Sequence, residues 1–214
     1  MHTYFKKIEI NDDYVIVDKK SGISSHPSPG DTAPDIVSLL SSEGIKAAPV
    51  TRLDSQASGL VLMSGSADFI NNVDEVMKKY TAIVIGIPPE TGKIDRPLIS
   101  KKFNSHEKRE QEALTEYDIV KSFGLIASTL SVTIQTGRHH QIRKHLRSIG
   151  HPVIGDFRHG FKDRNLELQG KWGNRLRLFL HCSELTFNWN GDHYQFSSQL
   201  PEDMKRFISF LELA

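Results

Sequence analysis

The sequence is short of several things that would each have announced a class. Its 214 residues include a single cysteine, Cys182. An intrachain disulfide framework and a cysteine-based zinc site are therefore excluded. No apolar run reaches the ~18 residues that a membrane-spanning helix requires. Met1 to Ile10 contains two lysines but no apolar stretch of the kind a secretory leader carries. A cytoplasmic location and no membrane contact are the resulting expectations. Neither sign of charge dominates: 27 Lys+Arg face 26 Asp+Glu, a formal net charge of +1. That argues against a nucleic-acid binder that is basic throughout, though not against one whose charge is segregated. There is no P-loop, no dinucleotide-binding glycine fingerprint and no HExxH pattern. What is present is ordinary for a globular chain, with 38% hydrophobic and 25% charged residues. The length is enough to bury a sizeable core.

Hydrophobic periodicity divides the chain into short elements. Tyr14–Asp18, Leu60–Ser64 and Tyr80–Ile87 read as strands. Leu130, Val132 and Ile134 alternate with polar residues, and so do Leu176, Leu178 and Leu180. Leu185–Trp189 and His193–Ser197 flank Asn190-Gly191, a strong hairpin turn signal. Pro34 opens a short helix carrying Ile36 and Leu40, closed by Gly44. Ser66 caps a helix with Phe69, Val73 and Val76 on one face. Gln141–Ile149 and a final segment after Pro201 also read as helices. Ser24–Thr32, 96–112 and 155–174 read as loops. Strands outnumber helices, so the expected class is α+β with a mostly antiparallel sheet.

Three polar stretches sit at the ends of these elements. The first is Thr51-Arg52-Leu53-Asp54-Ser55-Gln56-Ala57-Ser58-Gly59, just before the strand from Leu60. An Asp among turn residues is ordinarily a cap or turn former; the alternative is a carboxylate held at a sheet edge. The second runs from Thr136 to Arg147 and carries Arg138, His139, His140, Arg143, Lys144, His145 and Arg147. It reads either as a solvated basic helix or as a phosphate-binding one, since free N–H groups at a helix start attract anions. A metal reading would draw on His139, His140, His145, His151 and His159, but His at i and i+5 does not fall on one helix face, so a histidine metal site is not expected and no cofactor is implied. The third is Tyr80, beside Lys78 and Lys79. It is either a packed strand aromatic or a ring that stacks on a base.

Taken together, these stretches resemble the RluA-type pseudouridine synthases. That family's HRLD segment corresponds to Thr51-Arg52-Leu53-Asp54, and its TGRxHQIRxHL motif is complete from Thr136 to Leu146. His151 to Asp156, Lys79 to Val84, Ala113 to Tyr117 and Arg177 to His181 follow in the family's order. Thr51 stands where the family usually has His, and Lys20 where the early loop has Pro. The resemblance implies the pseudouridine synthase fold, a mixed, mostly antiparallel sheet with a central cleft flanked by helices and loops. Too few residues precede the strand at Tyr14 for an N-terminal S4 module, so one catalytic domain over residues 1–214 is expected, as a monomer.

The activity so implied is isomerisation of uridine in RNA to pseudouridine, which is redox-neutral and needs no cofactor or metal. Asp54 corresponds to the essential carboxylate. The resemblance leaves open whether it attacks C6 of the base, attacks C1′ of the ribose or supports a glycal route. Arg143 corresponds to the arginine that pairs with that carboxylate and fixes its direction. Tyr80 corresponds to the tyrosine packed on the target base, and Leu180 to a pocket-lining position. Arg52 corresponds to the side chain that occupies the space of the extruded base. Arg138, His140, Lys144, Arg147, Arg158 and His159 are the expected RNA-backbone contacts. The stretch Gly155-Asp156-Phe157-Arg158-His159-Gly160, continued to Asn165, resembles the tRNA pseudouridine synthase C branch, whose target is uridine 65 at the base of the T stem. An enzyme acting on ribosomal RNA or a tRNA anticodon arm is the alternative of the same class. A non-catalytic RNA-binding or chaperone protein is the alternative of another. The charge supports an RNA partner once it is resolved by position. Arg138 to Arg177 holds ten Lys+Arg against three Asp+Glu, and five of the ten histidines.

Overall fold

The computed structural model describes residues 4–27, 34–101 and 108–213. The latter part of the loop expected over Ser24–Thr32, and the middle of that expected over 96–112, lie outside the described residues. Among those described, twelve strands and five helices form a mixed α+β fold. They group into two compact units that interleave along the chain. The first takes the residues up to Lys78 and then His181–Pro201; the second takes Lys79–Leu180 and the residues from Glu202 onward.

In the first unit, β1 (Phe5–Ile10) pairs antiparallel with β2 (Val15–Lys19). The Asn11 side chain accepts the N–H groups of Asp13 and Tyr14 and so turns the chain between them. Helix α1 (Ile36–Ser42) starts at Asp35, whose carboxylate accepts the Ser38 N–H. The short β3 (Ala48–Pro49) and then β2 flank β4 (Ser58–Ser64), both antiparallel to it. Every residue of β4 is buried, which explains why Leu60–Met63 shows no polar alternation. Helix α2 (Ala67–Asn72) begins at Ser66 as its capping pattern requires. It stops at Val73 and does not extend to Val76, because the chain enters β5 (Asp74–Ile85). The β-branched valines and the long β-rich run behind them favour the strand over another helical turn.

The second unit begins where β5 continues past Lys78. It holds β6 (Thr91–Asp95), β7 (Leu98–Lys101), β8 (Lys108–Gln111), β9 (Leu114–Phe123) and β10 (Ala127–Ile134). The order is β5-β10-β9-β6, with β9 antiparallel to both its neighbours. Among the described residues, β7 and β8 pair only with each other, within the segment the sequence suggested was a loop. Ile99, Arg109 and Glu110 are exposed there. With none of its described side chains buried, this two-stranded ribbon leaves no alternation to read. Helix α3 (Gln141–Ser148) buries Ile142 and Leu146 as its spacing predicts.

Helix α4 (Lys162–Trp172) occupies the stretch expected to be a loop over 155–174. Only Asn165 and Leu168 of it are buried, so it carries almost no hydrophobic stripe. Glu167 pairs with Arg164 and Lys171 one turn away on either side, and Gly173 ends the helix at φ +71°. The strand expected from Leu176 starts only at Leu180. Before that, Phe179 donates its N–H to the Ile154 carbonyl and accepts the Ile83 N–H, so that stretch is pinned without regular pairing.

β11 (Leu180–Trp189) returns the chain to the first unit, where it runs parallel to β4 at Ser58 and Gly59. β12 (Asp192–Ser197) pairs antiparallel with β11 across Asn190-Gly191, both in the left-handed region, as the turn signal predicted. Tyr14, Phe69, Phe187 and Trp189 pack together in this unit with ring centroids 5.0–5.6 Å apart. Helix α5 (Glu202–Leu213) completes the second unit. Phe207 packs on Phe179 and Trp172, at 4.6 and 5.0 Å.

Candidate active site

The loop that carries Asp54 is held by a series of bonds to its own backbone carbonyls. Asp54 is half-buried, Arg52 exposed and Leu53 buried, immediately ahead of β4. The Asp54 carbonyl accepts the Ala57 N–H and closes a tight turn. Lys19, at the end of β2, is completely buried. Its ammonium donates to the carbonyls of Ser55 (3.1 Å) and Ala57 (2.6 Å) on one side, and of Lys20 (3.0 Å) and Ile23 (2.9 Å) on the other. The Ser21 hydroxyl donates to the Gln56 carbonyl, and the Ser25 hydroxyl to that of Leu53. The Gly22 N–H adds a bond to the Ser55 carbonyl. The early loop and the Asp54 loop are thus laced together by carbonyls on one side and donors on the other.

This lacing accounts for the two departures from the family pattern. Thr51 accepts the Leu62 N–H on its hydroxyl at 3.0 Å, and its own N–H goes to the Leu62 carbonyl. It ties the start of the loop to β4 with no need of an imidazole. Lys20 stands where a proline is usual, and the loop is shaped instead by Lys19 and by Gly22 at φ +95°. At the far end of the loop, Ser58 and the buried His181 share a hydrogen bond of 3.0 Å. Gly59 has φ +110°, and a Cβ there would collide with the Cys182 backbone. Only glycine admits β11 so close to β4. Lys78, buried at the first-unit end of β5, was not singled out from sequence. Burial pushes its ammonium pKa down; Cys182 opposes that shift and the charge of Arg52 reinforces it.

In the second unit, Tyr80 and Leu180 are both 4% exposed. Arg143 lies on the buried face of α3, where an unpaired guanidinium would be prohibitively costly. It grips Asp156 with two parallel bonds, Nε to Oδ2 at 2.7 Å and Nη2 to Oδ1 at 2.8 Å. Asp156 is wholly buried and also accepts the N–H groups of Arg158 and His159. Burial alone would push the Asp156 carboxyl up; the guanidinium and these two N–H groups outweigh it and hold the carboxyl below its ordinary value.

The rest of the motif organises the approach to Arg143. Gln141 spends its whole amide on structure. Its oxygen accepts from the Thr136 hydroxyl and the Arg138 N–H, and its nitrogen donates to the Leu114 carbonyl and Thr115 hydroxyl. His145 bonds the Thr115 hydroxyl (2.8 Å) and the Arg96 carbonyl (2.9 Å). The carbonyl needs a donor, so Nε2 carries the proton. Burial lowers the pKa of this imidazole and keeps it neutral. His140 adopts φ +56° at the helix start and meets His159 at 2.7 Å, with His139 stacked on it at 3.7 Å. Burial, and then the charge of Arg143, lowers the His159 pKa as well.

The structure thus brings Arg143, Lys144 and Arg147 onto α3, with His140 at its start and His159 against His140. Arg147 lies over the Phe161 ring at 4.3 Å, and Arg138 donates to the Glu112 carbonyl. Arg158 is exposed. The excess positive charge of this region is partly neutralised. Arg177 is held by Asp203, and Arg164 and Lys171 by Glu167. Lys19 is a site-building residue absent from the sequence motifs, while Asp156 and Asn165 stood there only as members of the Gly155–Asn165 stretch, with no task of their own. All three are polar residues buried without exposure, which no periodicity reveals.

The family model described as RNA pseudouridylate synthase matches residues 13–148. An uncharacterized RNA pseudouridine synthase of Aquifex aeolicus is 33% identical over 225 residues, covering 94% of this chain and 71% of its own. A tRNA pseudouridine synthase C of Haemophilus influenzae is 31% identical over 198 residues, covering 81% of this chain and 82% of its own. Among solved structures, human RNA pseudouridylate synthase domain containing 4 superposes with a TM-score of 0.74 at 20% identity, over 96% of this chain and 92% of that one. With well over half of its length matched by the family model, and relatives above 30% identity along most of it, this chain belongs to the RNA pseudouridylate synthase family, isomerases that convert uridine in RNA to pseudouridine.

Proposed function

We propose that the protein isomerises a uridine of tRNA, uridine 65 at the base of the T stem, with Asp54 as the essential carboxylate. In the reaction the N1–C1′ bond breaks, the base turns and C5 bonds to C1′. The C5 proton is lost and N1 regains one, so the change is balanced without oxidant or energy source. Arg143 acts as the orienting guanidinium, and Tyr80 packs on the base and is the candidate for handling the C5 proton. Leu180 lines the base pocket. The exposed Arg52 enters the space left by the extruded uridine, which offsets part of the few kcal/mol of lost stacking. Arg138, His140, Lys144, Arg147, Arg158 and His159 contact the RNA backbone, where cations release counterions and make binding salt-dependent.

The observation that carries the tRNA reading is the Gly155–Asn165 stretch, which resembles the tRNA pseudouridine synthase C branch. Relatives of that name match this chain over 81–85% of its length and 82–84% of theirs. The test is tritium release from tRNA transcripts containing 5-tritiated uridine. About one equivalent per tRNA is expected, and none from a transcript with cytidine at position 65. Release that persists from the altered transcript would move the target elsewhere in the tRNA. Release only from ribosomal RNA fragments would replace tRNA as the substrate.

A further inference from the structure

We propose that Asp156 is a positioning residue for the reaction, holding the Arg143 guanidinium in the one orientation that catalysis uses. The proposal rests on the role given to Arg143 above. Asp156 forms both guanidinium bonds to Arg143 and has no surface exposure. A two-bond fork fixes a planar guanidinium in position and in rotation, which one bond does not.

Asp156 is itself held through both its carboxylate and its backbone carbonyl. The Arg158 and His159 N–H groups donate to Oδ1 at 3.0 and 2.9 Å. The Asp156 carbonyl accepts the Gly160 N–H and the Asn165 amide, at 2.9 and 3.1 Å. Asn165 in turn accepts the Gly155 N–H at 3.0 Å, so one amide spans both sides of Asp156. Gly155, at φ +78°, lies against the Arg177 carbonyl, and Gly160 against that of Asp156; a Cβ at either would collide. Gly155, Asp156, Gly160 and Asn165 thus each have a physical task in one cradle. His159 adds a second tie, its ring bonding His140 at the start of the helix that carries Arg143. This many constraints exceed what a surface turn requires; their common product is a fixed Arg143.

The test is single-turnover and steady-state kinetics on the tritiated tRNA with Arg143→Lys, Asp156→Asn and the double variant. Asp156→Asn keeps an acceptor for the backbone N–H groups but faces Arg143 with an amide. Its kcat should fall on the order of 100-fold with KM for tRNA within about 3-fold, as misorientation of a reacting group does. In the Arg143→Lys background the same change should cost less than about 3-fold, because the group it positions is already gone. Equal losses in both backgrounds, or wild-type kcat in Asp156→Asn, would overturn the proposal. Full activity in Arg143→Lys would instead overturn the role of Arg143 itself. Should Asp156→Asn not fold, Asn165→Ala serves in its place. It leaves the ion pair but frees the cradle, and kcat should fall about 10-fold at unchanged KM. An Asn165→Ala enzyme that folds and keeps its kcat would also overturn the proposal.

Discussion

The Asp54 loop and the Arg143 cradle are held in opposite ways. In the first unit the chain is fixed through its carbonyls, and the carboxylate side chain is left half-buried at the end of the loop. In the second unit the functional side chain is itself the anchored group, buried in a fork with Asp156. A loop held by its backbone tolerates changes at most of its side chains, provided the donors opposite remain. A side chain held by an ion pair tolerates almost none. The difference follows from charge. Two desolvated charges stabilise each other only with good geometry and satisfied remaining donors, so Arg143 needs a complete partner. Neutral carbonyls can share one ammonium and a few hydroxyls.

The comparison can be broken at four places, in falling order of expected effect. Asp54→Asn should reduce tritium release at least ~1000-fold, as loss of an essential carboxylate does, while the backbone bonds of its loop remain in place. Substantial turnover in that variant would remove Asp54 from the chemistry. Lys19→Met should destabilise the protein by about 2–4 kcal/mol in urea unfolding, because buried carbonyls lose a shared charged donor. Activity should fall with it as the Asp54 turn loosens; unchanged stability would show that the loop is braced elsewhere.

Acid should act on the second unit first. His145 and His159 have folded pKa values below the ordinary 6.5. Their contribution is complete above 6.5 and is lost as pH falls below it, because the unfolded chain takes up protons that the folded one resists. Asp156 follows: its folded value lies below 3.8, so its contribution persists above that value and is lost as pH falls through the folded pKa. Melting temperature against pH should therefore decline between pH 7 and 5, and His145→Gln should flatten the slope. The smallest effect belongs to Gln56→Ala. Its exposed side chain stands on a loop held by backbone, and stability should stay within about 0.5 kcal/mol of wild type. A larger loss would mean that side chains, too, secure the Asp54 turn.

Local chemistry accounts for what could be read directly. Ser66 capped its helix, Asn190-Gly191 turned its hairpin, and the apolar run from Leu60 became a fully buried strand. Those signals depend on neighbours within a few residues, so they survive without tertiary context. Helix α4 was missed because its stability comes from ion pairs and two buried residues, not from an apolar stripe. The β7–β8 ribbon differs from the expected loop because none of its described side chains is buried, and the helix from Ser66 is shorter than its spacing suggests because β5 competes for the same valines.

For the site, the sequence alone determined the family and the candidate residues, because their types and order are dictated by the reaction. Only the tertiary structure decided what holds them. Lys19 meets Ser55 and Ala57 from far along the chain, and Asp156 meets Arg143 from the loop after its helix. Burial without exposure, and the pairing that burial compels, are properties of the folded interior. No pattern of neighbours in a one-dimensional chain carries them.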